Sequence, residues 1–158
     1  MVKIQIKWSE GIGTCAGTII ASRYILTAAH CLWPTEGRIF EYAWIELGGF
    51  YNIDKIIEKN VSRIIIHPEY EMSPYSENDI ALLETVTTID LNIYTPVCLR
   101  RTTETFDWKM AEVLVNRDEG IQKAYRGLVL PHGYCPNGED LCVLEQLGGI
   151  KQVCLVLK

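Results

Sequence analysis

The sequence has no apolar run that approaches the roughly 18 residues needed for a membrane-spanning helix. Its longest apolar pieces are short, as at residues 64–66 and 80–83. It also lacks an excess of positive charge, since 15 lysines and arginines stand against 20 aspartates and glutamates, for a net charge of −5. Without a basic surface, attraction to nucleic acid or to anionic lipid has no electrostatic source. We therefore expect neither a membrane nor a nucleic-acid partner.

Two further signals are absent, a secretory signal peptide and a zinc-finger cysteine pattern. The first seven residues alternate apolar and polar side chains, which is typical of a strand, and contain no apolar leader. The six cysteines nevertheless favour disulfides and an oxidising, extracellular compartment. We expect that the chain begins inside a domain and lacks its natural N-terminal segment. The spacing of Cys15, His30 and Cys31 does not match a finger, so we predict no metal and no cofactor.

The first hundred residues contain a series of short strand patterns bounded by turn residues. These patterns predict strands over 2–8, 14–21, 23–27, 43–47, 53–58, 61–66 and 80–84, and one helical turn over 28–32. Several short strands at close spacing are typical of a small antiparallel barrel. The sequence therefore predicts an all-β fold with a single antiparallel β-barrel, followed by a short irregular C-terminal extension.

The composition shifts around residues 100–105, and we place the domain boundary there. The barrel is predicted to span 1–101 and the extension 102–158. Within the extension, 111–116 and 121–130 flank a polar, glycine-containing segment and could form a β-hairpin.

The cysteines of the C-terminal half suggest one local disulfide. Cys135 and Cys142 are close in sequence and are flanked by turn formers, so we predict that they form a disulfide loop. Cys98 and Cys154 are left either as a pair or as two free thiols.

One histidine and one aspartate have surroundings that suggest chemistry. His30 follows small residues in Thr27-Ala28-Ala29-His30-Cys31, and Asp79 immediately precedes the apolar run 80–83. A carboxylate that enters an apolar strand needs a hydrogen-bond donor, and an imidazole N–H is a suitable one. Peptide-bond hydrolysis by a hydroxyl nucleophile uses such a histidine as the base and such a carboxylate to hold its tautomer.

Several segments together resemble the trypsin/chymotrypsin-like serine protease family in their order and spacing. They are Cys15-Ala16-Gly17-Thr18-Ile19-Ile20, Ile25-Leu26-Thr27-Ala28-Ala29-His30-Cys31, His67-Pro68-Glu69-Tyr70, Asn78-Asp79-Ile80-Ala81-Leu82-Leu83 and Pro96-Val97-Cys98-Leu99. The resemblance implies the first barrel of a two-barrel fold. It makes His30 the catalytic general base, Asp79 its orienting acid, and Cys15–Cys31 a disulfide that holds the histidine loop.

The nucleophile of that family has no counterpart in this sequence. All five serines precede Asp79, and none lies in a Gly-x-Ser-x-Gly setting or in the family's Gly-Asp-Ser-Gly-Gly stretch. The family's oxyanion hole and specificity pocket belong to its second barrel, and the 55 residues that follow Thr103 are too few to form one. Cys135 could serve as a substitute thiolate nucleophile, but its predicted disulfide is the stronger interpretation.

The resemblance therefore implies a serine-type endopeptidase family domain that is a fragment or an inactive homologue. Its partners would be protein or peptide substrates and inhibitors. The alternative is a non-catalytic protein-binding or decoy module, because a first barrel without its second barrel exposes an apolar face.

The tail carries a looser resemblance to the C-terminal end of histidine acid phosphatases. It depends on Tyr125-Arg126-Gly127-Leu128-Val129-Leu130-Pro131, on Cys135 and on Cys142-Val143-Leu144-Glu145. Pro131 stands before His132-Gly133, where that family has its phosphate-binding arginine. A proline supplies neither the charge nor the paired N–H donors of an arginine, so no phosphatase activity is implied.

Overall fold

The computed structural model describes residues 1–34, 37–48, 56–72, 77–99, 109–116, 122–130, 141–145 and 154–157. These residues fall into two compact units, 1–100 and 101–158. The described residues include no helix with the length and apolar character that a membrane crossing requires.

The first unit is a closed barrel of six antiparallel strands. Its strands are β1 (Val2–Trp8), β2 (Gly11–Ala21), β3 (Tyr24–Thr27), β4 (Phe40–Leu47), β5 (Ile57–Ile66) and β6 (Ala81–Thr85). Their order around the barrel is β1-β2-β3-β6-β5-β4. This arrangement confirms the predicted all-β class and the single antiparallel barrel.

Two long strands close the barrel because each pairs with a different neighbour along each of its halves. β2 pairs with β1 over residues 11–17 and with β3 from residue 18 onward. β5 pairs with β4 over residues 57–60 and with β6 over residues 61–66. A register shift lies in each strand near the change of partner, where an extra residue bends and twists the strand.

The barrel core follows from the alternation of apolar residues along the strands. β1 buries every second side chain from Val2 to Trp8, and β4 does the same from Ala43 to Leu47. The core consists of aliphatic residues from five strands with aromatic residues at its margin: Val2, Ile4, Ile6, Trp8, Ile19, Ile25, Ala29, Leu32, Ala43, Ile45, Leu47, Tyr70, Ala81, Leu83 and Ile89. A fully buried isoleucine or leucine contributes about 1.5–3 kcal/mol, so this single core accounts for much of the stability of the unit.

Gly17 of β2 lies where two core side chains approach the backbone most closely. A Cβ atom at this position would lie 2.5 Å from Cγ2 of Ile25 and 2.8 Å from Cδ1 of Ile4. Both distances are shorter than real Cβ contacts, so the packing of β1 against β3 requires a residue without a side chain here.

The second unit contains a four-stranded antiparallel sheet of order β10-β9-β8-β7. Its strands are β7 (Met110–Asn116), β8 (Gln122–Val129), β9 (Leu141–Glu145) and β10 (Cys154–Leu157). β7 and β8 pair over seven positions, across the segment for which the sequence predicts a hairpin. The hydrophobic pattern does not predict β9 and β10, because two short apolar segments carry no periodicity that distinguishes a strand from a loop.

The strand boundaries differ from the predicted ones most clearly in β2, β4 and β5. β2 begins at Gly11 rather than residue 14. β4 begins at Phe40 rather than residue 43, because its first residues pair with β1, where Trp8 lies opposite Phe40. Two strands were expected over 53–58 and 61–66. Residues 53–55 lie outside the described residues, and from Ile57 to Ile66 the structure has one continuous strand, β5. Asn60, in the gap between the two predicted strands, is exposed and pairs with Trp44 of β4, so it does not interrupt β5.

Candidate active site

The pairing of β3 with β6 brings His30 and Asp79 to the same end of the barrel. Thr27, the last residue of β3, lies opposite Ala81, the first residue of β6. His30 follows Thr27 by three residues, in a 3₁₀ turn over Ala29–Cys31, and Asp79 precedes Ala81 by two. Because the two strands are antiparallel, the segments just beyond these ends must meet.

Asp79 contacts His30 through both of its carboxylate oxygens. The backbone N–H of His30 donates to Oδ1 at 2.8 Å, and Nδ1 of the imidazole lies 2.6 Å from Oδ2. The backbone N–H of Ala29 also donates to the carboxylate. The carboxylate therefore fixes both the turn that carries the histidine and the orientation of its ring.

Asp79 is less accessible to solvent than His30, and burial is one of the influences on the pKa of the acid. The side chain of Asp79 is 15% exposed, whereas that of His30 is 55% exposed. Burial alone would raise the pKa of Asp79, but the hydrogen bonds from His30 and Ala29 and the attraction of the imidazole outweigh it. The pKa of Asp79 consequently lies below its ordinary value, and the group is a carboxylate at neutral pH.

The ionised carboxylate determines which imidazole nitrogen carries the proton. A carboxylate only accepts hydrogen bonds, so Nδ1 must be the donor in its contact with Asp79. In the neutral ring Nε2 then has a free lone pair and can accept a proton. The pair has the geometry of a general base held by an orienting acid.

A disulfide lies directly beside the imidazole. Cys15 of β2 and Cys31 of the 3₁₀ turn are joined, with their Cα atoms 6.2 Å apart. Sγ of Cys31 lies 3.6 Å from Nε2 of His30. Both sulfurs and Nε2 lie within 4.8 Å of one another, but a sulfur in a disulfide is not a metal ligand, and the oxidised site holds no set of thiolates.

Asn78, the residue before Asp79, has a structural role that the sequence pattern did not predict. Asn78 has a left-handed backbone with φ of 57°, and its carbonyl accepts a hydrogen bond from the N–H of Ile80 at 2.7 Å. Asparagine tolerates this conformation better than other residues with side chains. The Asn-Asp dipeptide is therefore the signal that marks the sharp turn into β6.

The other predicted site residues are not all placed by the structure. Cys135 lies outside the described residues, as does the side chain of Cys142, so their disulfide stays a prediction. Cys98 is exposed and is a free thiol. Among the described residues no hydroxyl group hydrogen-bonds to Nε2 of His30. The structure therefore does not test whether Cys135 acts as a thiolate nucleophile.

Sequence comparison finds one protein family and several curated relatives. The family model described as Trypsin matches residues 1–131. The serine protease filzig of Drosophila melanogaster is 33% identical over 104 residues, which are 63% of this chain and 6% of that protein. Serine protease SSP1 of Scolopendra subspinipes is 32% identical over 112 residues, 67% of this chain and 38% of that protein. Coagulation factor IX of Cavia porcellus is 40% identical over 92 residues, 54% of this chain and 30% of that protein. The chain thus spans less than two fifths of the length of each of these relatives.

Two solved structures share the fold. The structure of GrC matches with a TM-score of 0.70 and 21% identity, over 90% of this chain and 68% of that one. The HL collagenase structure matches with a TM-score of 0.72 and 23% identity, over 90% of this chain and 66% of that one. Both identities are low, so these likenesses bear on the fold alone.

Proposed function

Because the chain belongs to the trypsin family of serine proteases, we propose that its first unit supplies the general base and the orienting acid of a peptide-bond hydrolase. His30 is the base, and Asp79 is the acid that holds it. The observation that carries this proposal is the double contact of the Asp79 carboxylate with the backbone and the ring of His30.

The 158 residues supply only this half of a serine endopeptidase site. No serine follows Asp79 in the sequence, so an acyl-enzyme on a serine cannot form with the groups that the family resemblance identifies. A base without its nucleophile leaves little of the catalytic effect, because the residues of such a site act as a unit. Hydrolysis would require a hydroxyl nucleophile and oxyanion donors contributed from outside these residues.

The substrates and surroundings of such an activity follow from the family. We propose protein or peptide substrates and inhibitors as partners, and an extracellular location. The disulfide beside His30 supports an oxidising compartment. The net charge of −5 gives no reason to propose a nucleic-acid partner.

Labelling with a fluorophosphonate tests the proposal directly, because the probe reacts with a serine only when a base activates it. We expect no labelling of the 158-residue chain. We expect labelling at a serine of the natural protein if that protein contains a second barrel, and loss of that labelling in His30→Gln. Labelling of the 158-residue chain, equal in wild type and His30→Gln, would contradict the proposal.

A second candidate function is a non-catalytic module that binds proteins. The segment that follows β6 exposes apolar side chains, with Ile93 at 68%, Val97 at 47% and Leu99 at 63%. Contiguous exposed apolar side chains are typical of surfaces that contact another polypeptide, so these three residues are candidates for such a surface. This alternative predicts that the natural protein is not labelled yet binds a protease or a protease inhibitor, and that Ile93→Ser with Leu99→Ser weakens this binding.

A further inference from the structure

The outer surface of the barrel carries one tripeptide that the proposed protease function does not use. It is Asn60-Val61-Ser62, an asparagine followed two positions later by a hydroxyl residue, with no proline between them. This pattern is the acceptor for N-linked sugars in secreted proteins, and no other asparagine of the chain has a serine or threonine at that spacing. We propose that Asn60 is an N-glycosylation site that is occupied when the chain enters the secretory pathway. The inference rests on the extracellular location proposed above.

The modification is the transfer of an oligosaccharide from a lipid pyrophosphate to the side-chain amide of Asn60. The amide nitrogen forms a bond to C1 of the first sugar, and the bond between C1 and the pyrophosphate oxygen breaks. The nitrogen loses one proton, and the lipid pyrophosphate leaves with the electron pair of the broken bond. No oxidant or reductant takes part, which suits the same oxidising compartment in which the Cys15–Cys31 disulfide forms.

The side chain of Asn60 is exposed on the outer face of β5. Successive side chains of a strand point to opposite faces, and Val61, the next residue, packs against the barrel core. Trp44 lies opposite Asn60 on β4, and its ring contacts Tyr42 of its own strand, with the ring centroids 5.6 Å apart. An oligosaccharide can therefore extend from Asn60 into solvent without displacing a core side chain.

The backbone of Asn60 is held by the barrel, but its side-chain amide is not used by it. The carbonyl of Asn60 accepts a hydrogen bond from the N–H of Val86 at 2.9 Å. The side-chain amide makes no hydrogen bond to any other residue in the part of the chain that the structure describes. Replacing one amide hydrogen by a sugar therefore breaks no hydrogen bond among these residues.

The surroundings of Ser62 predict when the sugar is attached. The acceptor pattern requires the hydroxyl of its third residue, so the transferase must reach this group. In the folded barrel Oγ of Ser62 donates to the carbonyl of Glu84 at 3.0 Å. The segment is also paired with β4 as far as Asn60 and with β6 from Val61 onward. Attachment therefore takes place before β5 pairs with its neighbours.

The attachment point is remote from the proposed catalytic pair. Ile66, the last residue of β5, lies opposite Ala81, two residues after Asp79. Asn60 precedes Ile66 by six residues, which is about 20 Å of strand at about 3.3 Å per residue. Loss of the sugar should therefore leave the contact between His30 and Asp79 unchanged.

Translation of the full 158-residue chain, with an added secretory leader, in the presence of microsomes from the endoplasmic reticulum tests the proposal. We expect one oligosaccharide per chain, seen as a single slower band on a denaturing gel. Peptide N-glycosidase should convert this band to the faster one. The enzyme leaves an aspartate in place of the modified asparagine, and mass spectrometry of the peptide that contains residues 60–62 locates it.

Matched variants identify the acceptor. Asn60→Gln and Ser62→Ala should each abolish the slower band, whereas Ser62→Thr should retain it because threonine keeps the hydroxyl. Asn92→Gln is the control, since Asn92 is also exposed but is followed two positions later by Tyr94. Because attachment precedes folding, the band also reports on a variant that folds poorly.

The order of attachment and folding has its own test. A peptide of residues 57–66 should accept the oligosaccharide from purified transferase and its lipid donor, whereas the folded chain should not. Folded chain that is modified as fast as the peptide would overturn the requirement for an unpaired segment.

Two results would exclude the site itself. They are a translocated chain that carries no oligosaccharide, and an oligosaccharide that persists in Asn60→Gln. Neither result affects the fluorophosphonate test, because labelling of a serine does not require the sugar. The glycosylation proposal and the proteolytic proposal therefore fail separately.

Discussion

The carboxylate of Asp79 accepts hydrogen bonds from the backbone N–H of His30 at 2.8 Å and from its Nδ1 at 2.6 Å. One side chain therefore positions both the turn and the ring. Asp79→Ala leaves both donors of His30 and the N–H of Ala29 without this acceptor, and we expect it to lower the free energy of unfolding by about 1.5–3 kcal/mol. Asp79→Asn should cost less, because its amide oxygen still accepts one of these bonds.

Urea unfolding of both variants measures this effect. The matched control is Glu41→Gln, which neutralises an exposed acid on β4 and should change stability by less than about 0.5 kcal/mol. Equal effects of Asp79→Ala and Glu41→Gln would show that the contact does not stabilise the turn.

The lowered pKa of Asp79 predicts how acid acts on the barrel. The group releases its proton more readily in the folded chain than in the unfolded one, so its contribution to stability is present above its unfolded pKa of about 3.9. That contribution is lost as the pH falls through the lower folded pKa. We expect the difference in unfolding free energy between wild type and Asp79→Asn to shrink as the pH falls below about 4. Unfolding curves at a series of pH values measure it, and a difference that grows on acidification would contradict the assignment.

The close approach at Gly17 predicts a packing defect. Gly17→Ala places a methyl group against Ile4 and Ile25, and we expect a loss of about 1–3 kcal/mol in the free energy of unfolding. Ile4→Val removes the Cδ1 atom that would lie 2.8 Å from the new Cβ, so it should cost less in the Gly17→Ala background than in wild type.

A double-mutant cycle by urea unfolding measures this coupling. Gly13→Ala serves as the matched control, because its Cβ would lie 3.3 Å from Nε1 of Trp8 and meet no core aliphatic group. Strictly additive effects of the Gly17 and Ile4 substitutions would show that the contact is relieved elsewhere.

The left-handed turn at Asn78 predicts that glycine is tolerated better than valine at this position. Asn78→Gly should be tolerated, since glycine adopts φ of 57° without strain, whereas Asn78→Val should cost at least about 1–2 kcal/mol. Thermal unfolding compares the two, and a valine variant as stable as the glycine variant would mean that the turn reshapes at little cost.

The disulfide predicts a loss of stability when it is removed. Cys15 and Cys31 are separated by 16 residues, and closing a loop of this size lowers the entropy of the unfolded chain by an amount worth about 3 kcal/mol. Cys15→Ser with Cys31→Ser should lower the free energy of unfolding by about that amount. Cys98→Ser, at an exposed free thiol, is the control and should have little effect.

The barrel could be predicted from the sequence because burial alternates along its strands and turn residues separate them. The family resemblance predicted that His30 and Asp79 lie side by side. In the structure, the register that places Thr27 opposite Ala81 explains why they do. The hydrogen bond from the backbone of His30 and the left-handed turn at Asn78 depend on three-dimensional geometry and have no periodic pattern. β9 and β10 escaped prediction for a different reason, because five- and four-residue strands are too short to show alternation.

The closed order of the six barrel strands has a consequence for assembly. Each strand has two neighbours in the closed order, so among the described residues no barrel strand is an edge strand along its whole length. Growth of aggregates by pairing along a complete edge strand is therefore disfavoured for the folded barrel. The affinity of a partner that contacts outward side chains can be altered by surface substitutions that leave the strand pairing intact.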